Sequence, residues 1–246
     1  MNLRVLAAHI ALLFRDIART PSFVVPAVIF PAMFFSIMGV PFARSNAAIA
    51  NTITASYVGF AIVGVALFQF GVGIAMERGR PWERYVRSLP VSIEVRFISR
   101  VVVASCFATL AAGLVCLIAK LFTPVSYTLE QWLLLALYAI MGAVPFVMLG
   151  VAIAYVAPPR GATPITNIVY LLSAYCGGFW IPPQYLPSFV APISPWLPTR
   201  QYGELLWSVA NGHNPTHAVL MLGYFTLAFT AVAIAAYRRD ERVRYA

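Results

Sequence analysis

The densest group of ionisable side chains in this sequence lies in one short stretch from Glu77 to Pro90. It reads Glu-Arg-Gly-Arg-Pro-Trp-Glu-Arg-Tyr-Val-Arg-Ser-Leu-Pro. Pro81 suits the first position of a helix, Pro90 ends it, and Glu83 precedes Arg87 by four residues, the favourable order for an ion pair. The pattern predicts a short helix with aromatic and arginine anchors of the kind that dominate protein interfaces. It equally fits arginines that only fix the orientation of neighbouring membrane segments, beside an interfacial belt of aromatic residues.

Residues for catalysis or nucleotide binding do not form a recognisable pattern. The chain has no Gly-x-x-x-x-Gly-Lys-Ser/Thr phosphate-binding loop, and its single lysine is Lys120. His213 and His217 stand four residues apart, but no third ligand is nearby and Pro215 predicts a helix start between them, so we predict no metal site. No serine, histidine and acid can be grouped into a catalytic set. We therefore expect no enzyme activity, no catalytic residue and no cofactor on this chain.

The composition predicts an integral membrane protein. Of the 246 residues, 61% are hydrophobic and only 10% are charged, where a soluble domain has about 25% charged residues. The mean hydropathy is +0.81. Apolar runs of the roughly 20 residues that cross a bilayer recur along the whole chain, so we predict a single all-α membrane domain over residues 1–246. The six predicted transmembrane helices are 22–42, 54–76, 98–121, 131–156, 165–181 and 215–237.

The distribution of cations predicts the orientation, because short basic loops resist translocation. With both termini cytoplasmic, the inner segments hold 14 of the 17 lysines and arginines. These are Arg4, Arg15, Arg19, Arg78, Arg80, Arg84, Arg87, Arg96, Arg100, Arg160, Arg238, Arg239, Arg242 and Arg244. Since the arginines lie against a membrane face, we expect anionic lipid and not nucleic acid to be the partner of the +9 net charge.

Two segments outside the predicted spans carry structure of their own. Residues 1–20 place Leu3, Leu6, Ile10, Leu13 and Ile17 on one face, which predicts an amphipathic helix lying on the inner membrane surface. A frayed extension of the first span is the alternative. Residues 182–214 are rich in proline and tryptophan and predict an outer loop with short helices at headgroup level. That loop is interpreted either as part of an aromatic belt or as a lid over a translocation path.

Neutral polar and aromatic residues within the predicted spans are candidates for lining such a path. We select Phe60, Gln69, Asn167, Tyr170 and Ser173. A path of this character would suit an amphipathic or apolar cargo and would poorly suit a small ion. The alternative for each polar residue is an interhelical hydrogen bond, worth about 0.6 kcal/mol on average in a bilayer.

The chain resembles the permease subunits of the ABC-2 family of ATP-binding-cassette transporters over nearly its full length. The resemblance rests on the helix before six spans, on the pattern from Glu77 to Pro90, and on the later run with Gly177-Gly178, Pro182-Pro183, Leu186-Pro187, Leu197-Pro198 and Glu204. It implies an ABC-2 (type V exporter-like) transmembrane domain in a bacterial plasma or inner membrane. It also implies that residues 77–97 form a coupling-helix loop, which docks on a separate ATPase subunit. The docking residues would be Trp82, Glu83, Arg84, Tyr85, Arg87 and Leu89.

The same resemblance implies the function and the partners. Two permease copies, identical or not, would pair around a central pathway, with ATP and Mg²⁺ held by the partner ATPase. The expected activity is export of a drug, a lipid or a lipid-linked glycan. From the residues alone, a secondary carrier or channel without an ATPase and a membrane scaffold without cargo stay open.

Overall fold

The computed structural model of the chain describes residues 3–79 and 93–245, and these parts are helices joined by turns, without β-strands. We number the helices in chain order. They are α1 (Leu3–Ala18), α2 (21–43), α3 (Ala47–Arg78), α4 (Ile93–Phe122), α5 (Leu129–Val156), α6 (Ala162–Cys176), α7 (Pro198–Asn211) and α8 (Thr216–Tyr245). Short 3₁₀ turns at Pro183–Tyr185 and Ser194–Trp196 lie between α6 and α7.

Five helices in the described part of the chain are long and apolar enough to cross a membrane: Val25–Ala43, Ala47–Arg78, Glu94–Phe122, Leu129–Val156 and Thr216–Arg242. The sixth predicted span, 165–181, falls on α6, which has only 15 residues and ends at Cys176. At 1.5 Å per residue that helix is about 22 Å long, shorter than the roughly 30 Å hydrocarbon core. The six-span count therefore stays a prediction.

Helix α3 lies at the centre of the bundle. About 89% of its apolar stretch is buried, against 17% for α8 at the periphery. Helices α2, α4, α5, α6 and α7 all pack against it. Glycine permits the closest approach. A Cβ on Gly150 of α5 would lie 3.1 Å from the Ala66 carbonyl oxygen and from the Gly71 nitrogen, so the α3 and α5 backbones touch there.

Helix α2 is irregular because it contains prolines. The π-helical turn Val25–Ile29 contains Pro26, and a second one, Phe35–Gly39, ends just before Pro41. Proline lacks the N–H that would bond four residues back, so the helix widens locally to find other partners. Thr20, in extended conformation, separates α2 from α1.

Helix α1 packs along α4. The Phe14 ring stacks on Phe107 at a centroid distance of 5.1 Å, and Phe23 meets the same ring edge-on. Leu13 is buried, whereas Leu3 and Leu12 stay exposed. The helix thus has one face on the protein and apolar side chains left on its other faces, which is the distribution expected at a membrane surface.

The stretch predicted as an outer loop contains a helix that is an integral part of the core. Tyr202 of α7 donates a hydrogen bond to the Ala139 carbonyl (2.8 Å), and Trp207 Nε1 donates one to Ser56 Oγ (2.7 Å). Gly142 makes room for the Tyr202 ring, since a Cβ there would lie 2.2 Å from it. These contacts fix α7 between α3 and α5.

Candidate functional site

The first candidate site lies at the end of the bundle where α3 stops and α4 begins. Glu77 near the end of α3 forms an ion pair with Arg100 of α4. Arg100 is buried, and its Nη1 also donates to the Gln69 carbonyl oxygen (2.9 Å) in the π-helical turn Phe68–Val72. Helices α3 and α4, which lie on either side of residues 80–92, are therefore joined by an ion pair and a hydrogen bond.

Arg78, the next residue after Glu77, joins three helices. Its Nη1 lies 2.6 Å from Asp240 Oδ1 of α8, and its Nη2 donates to the Ala157 carbonyl oxygen at the end of α5 (3.0 Å). The guanidinium also lies over the Tyr155 ring, 5.3 Å from its centroid. The Arg78 side chain is only 6% exposed, so this charge depends on its partners to offset the loss of water.

His9 of α1 extends this cluster. Its Nδ1 is buried and finds no hydrogen-bond partner within 3–79 and 93–245. Burial lowers the pKa of His9, Arg96 lowers it further, and Arg100 adds a smaller effect in the same direction, while Glu77 opposes them. Helix α1 thus faces the ion pairs with a histidine whose lowered pKa favours the neutral form.

The residues predicted to dock on an ATPase, Trp82, Glu83, Arg84, Tyr85, Arg87 and Leu89, lie outside the described residues. The structure does place both ends of their segment. Gly79 follows Arg78 directly, and a Cβ there would lie 2.9 Å from Pro159. Movement of the segment would therefore reach α4 through Glu77, and α5 and α8 through Arg78.

The second candidate site is the predicted path, and two of its five residues form one unit. The Phe60 ring of α3 stacks on Tyr170 of α6 at 4.5 Å with an interplanar angle of 5°. Tyr170 Oη donates to the Phe60 carbonyl oxygen (3.1 Å), and both side chains are buried. Trp180 meets the Phe60 ring edge-on at 5.6 Å, so an aromatic cluster runs from α3 to the turn after α6.

The other three predicted path residues are spread along the same helices. Gln69 is buried, and its Nε2 has no partner in the described part of the chain. Asn167 and Ser173 are half-buried and donate to carbonyl oxygens of their own helix, those of Thr163 and Tyr170. The protein thus brings Phe60 and Tyr170 together within the core, whereas Asn167 and Ser173 keep local hydrogen bonds.

The role of Arg78, Arg100 and Asp240 was not apparent from the sequence, where the two arginines counted only as topology signals. The available signal was their position: Arg78 and Arg100 stand at the very ends of apolar runs, where a long side chain can reach back into the bundle. Their partners, Asp240 and the Gln69 and Ala157 carbonyls, lie far away in sequence, so spacing could not identify them.

A comparison with known proteins agrees with this architecture. A family model described as ABC-2 type transporter matches residues 6–211. The chain belongs to the ABC-2 type transporter family. One relative of this ABC-2 chain is the transport permease YvfS of Bacillus subtilis (strain 168), which is 25% identical over 185 residues, covering 75% of this chain and 76% of the relative.

The predicted family is thereby confirmed, and with it the coarse function. The chain is a multi-pass membrane protein and the permease of an ABC transporter. ABC-2 permeases as a family work with an ATP-binding subunit.

Proposed function

We propose that this ABC-2 permease exports an amphipathic or hydrophobic substrate, such as a drug, a lipid or a lipid-linked glycan. The energy comes from ATP hydrolysed, with Mg²⁺, on a separate subunit that docks on Trp82 to Leu89. Two permease copies pair in the bacterial plasma or inner membrane, with all termini in the cytoplasm. The observation that carries the proposal is the ion-pair cluster that joins α3 and α4, the helices at the two ends of the docking segment, to each other and to α5 and α8.

The cluster supports energy transfer because of how it is bonded. Arg78 contacts α5 and α8, while Glu77 contacts α4, and His9 of α1 faces the same charges. Buried, multiply bonded charges hold their geometry, since breaking one contact leaves another charge unpaired. A displacement of residues 80–92 would therefore move the bonded helices with it, because these side chains hold fixed positions.

The character of the core supports the substrate class. Phe60, Tyr170 and Trp180 form a continuous aromatic cluster, and Gln69, further along α3, adds a buried polar amide. In the described part of the chain, carboxylates and arginines lie at the helix ends and not along the middle of the spans. Such an interior favours a molecule with an apolar body, and it lacks the charged relays typical of proton-driven carriers.

The docking proposal is tested by co-purification. The permease is co-expressed with a candidate ABC ATP-binding subunit, and the ATPase recovered per permease is measured in mild detergent. We expect Arg84→Ala with Arg87→Ala to lower recovery at least tenfold, because arginine anchors dominate such interfaces, at about 1.4 kcal/mol per tenfold change. The matched control is Arg238→Ala with Arg239→Ala, two exposed arginines on the inner part of α8, which should keep wild-type recovery. Equal loss in both pairs would refute the assignment.

Export is tested in inside-out membrane vesicles supplied with ATP outside. A fluorescent amphipathic dye and a headgroup-labelled lipid serve as probes, and accumulation inside the vesicles is expected for at least one of them. The comparison is an ATPase subunit whose catalytic carboxylate has been neutralised. Accumulation that persists with the inactive ATPase would instead support a secondary carrier.

A further inference from the structure

A cavity of about 390 Å³ opens at the end of the bundle opposite Arg78. It lies between the start of α3, the turn after α6 and helix α7. Its apolar wall is formed by Ile49, Ile53, Phe179, Trp180 and Trp207. The volume falls in the range of small-molecule sites, about 300–1,000 Å³, and the mixture of aromatic walls with a few polar groups is typical of them.

The charged side chains that line the cavity are one ion pair, beside the neutral polar residues Thr52, Ser56, Gln184 and Asn211. Arg200 Nε donates to Glu204 Oε1 (2.8 Å), and Arg200 Nη2 lies 2.6 Å from the same oxygen. The guanidinium lies over the Trp207 ring, 5.4 Å from its centroid. Glu204 Oε2 has a looser contact, 3.5 Å from His213 Nε2. The pair thus presents a cation and an anion side by side above an aromatic surface.

The same pair also borders a second, more polar cavity. That cavity has about 220 Å³ and is lined by Gln201, His213, Asn214 and His217 in addition to Arg200 and Glu204. Gln201 is buried, and its Oε1 has no partner within 3–79 and 93–245. A molecule held at the ion pair therefore has an apolar space on one side and polar groups on the other.

Trp180 forms a fixed part of the wall of the larger cavity. Its Nε1 is buried but has no hydrogen-bond partner in the described residues. Its ring contacts Phe34 at 4.9 Å and Phe60 at 5.6 Å, so the side chain is firmly packed.

We propose that this cavity binds a zwitterionic single-chain amphipath. Its apolar chain lies against Ile49 and Trp180, the less buried members of the apolar wall, its cationic group approaches Glu204 Oε2, and its anionic group approaches Arg200. A ligand with one sign of charge gains from one partner and meets repulsion from the other, whereas a zwitterion matches both. Binding requires neither ATP nor an ATPase, so the proposal stands apart from the export function.

The test is photo-crosslinking of the purified permease in maltoside micelles. The probe is a lysophosphatidylethanolamine with a diazirine in its acyl chain, and labelled peptides are located by mass spectrometry. We expect saturable labelling of residues 48–56 and 178–184. Glu204→Gln should raise the probe concentration needed for half-maximal labelling about tenfold, because one charged hydrogen bond is lost. Ala48→Trp, at an exposed lining residue, should reduce labelling by blocking the cavity without disturbing the core.

Two comparisons make the result decisive. Glu130→Gln neutralises an exposed carboxylate at the same end of the bundle and should bind as the wild type does. A lysophosphatidylglycerol probe with the same chain carries only the anion and should bind at least fivefold more weakly, a difference of about 1 kcal/mol. Equal binding of both probes, or labelling unchanged by Glu204→Gln and Ala48→Trp, would overturn the proposal.

Discussion

The two ends of this helical bundle use their charges differently. At the end where α3 stops and α4 begins, Arg78 and Arg100 are buried and bonded to a carboxylate and a backbone carbonyl each. At the opposite end, Arg200 and Glu204 pair with one another on successive turns of α7, beside two cavities. In the orientation proposed above, the first group of charges is the inner one and the Arg200–Glu204 pair is the outer one. The inner charges connect different helices, whereas the outer pair lies within one helix.

Because of this difference, one end of the bundle is suited to transmitting movement between helices and the other to contacting a ligand. A buried ion pair between distant helices fixes their relative position, because moving one helix away leaves a charge without compensation. A partly exposed pair four residues apart in one helix fixes nothing beyond its own turn and is worth little in stability. The inner cluster is therefore suited to passing on a movement, and the outer pair is free to exchange partners with a bound molecule.

The largest expected effect is that of Arg78→Ala. The change removes the ion pair between Arg78 and Asp240 and the donor to the Ala157 carbonyl. We expect a loss of about 3 kcal/mol in the free energy of unfolding, the lower end for a broken buried pair. Denaturant unfolding of the purified chain in detergent measures it. A loss below about 1 kcal/mol would place the pair in the same class as exposed pairs.

A smaller effect is expected from Glu77→Gln. The neutral amide keeps the shape and can still accept a hydrogen bond from Arg100, which retains its bond to the Gln69 carbonyl. Because the Glu77 side chain is 33% exposed, we expect a loss of about 1 kcal/mol. The same unfolding assay applies. A loss as large as that of Arg78→Ala would show that the two inner pairs act as one unit.

Loss of the outer pair should change the free energy of unfolding only slightly. Arg200→Gln removes an ion pair whose side chains are 20% and 33% exposed, together with the stacking of the guanidinium on Trp207. We expect less than about 1 kcal/mol of destabilisation. The same variant should weaken binding of the zwitterionic probe. Strong destabilisation with unchanged binding would reverse the proposed difference between the ends.

The smallest effect concerns pH and His9. The pKa of His9 in the folded protein lies below its ordinary 6.5, mainly because of burial and Arg96, with Arg100 acting the same way and Glu77 opposing. The unfolded chain therefore binds the proton first, so stability present above about pH 6.5 is lost as the pH falls through the folded pKa. Thermal unfolding at pH 7.5 and pH 5.5 should show this loss, and His9→Gln should reduce it. An unchanged pH dependence in His9→Gln would exclude the histidine as its source.

The family and the helical membrane class could be predicted from the sequence because they depend on patterns along the chain. Apolar runs of membrane length and the Glu77 to Pro90 motif led to the ABC-2 family, which the family match confirms. The interpretation of 182–214 as an outer loop left out how deeply α7 packs. Polar residues are interspersed along α7, so the sequence does not indicate that Tyr202 and Trp207 donate hydrogen bonds to Ala139 and Ser56.

The predicted path residues show the same limit. Phe60 and Tyr170 were selected as separate candidates, and only folding brings them into a stacked pair, with Gly64 making room for the Tyr170 hydroxyl. Asn167 and Ser173 were selected by polarity, yet each bonds within its own helix. Polarity in a span identifies a side chain that needs a partner, but it does not say which partner.

The sequence by itself determined that this protein lies in a membrane, that it is helical, and where its arginine-rich segment falls. The length of an apolar run and the charge of a loop are both properties of consecutive residues. Only the tertiary structure decided that Arg78 meets Asp240, and that Arg200 and Glu204 stand beside a cavity walled by α3 and the turn after α6. Burial and ion pairing between distant residues depend on which helix faces meet, and that is settled by packing of the whole bundle.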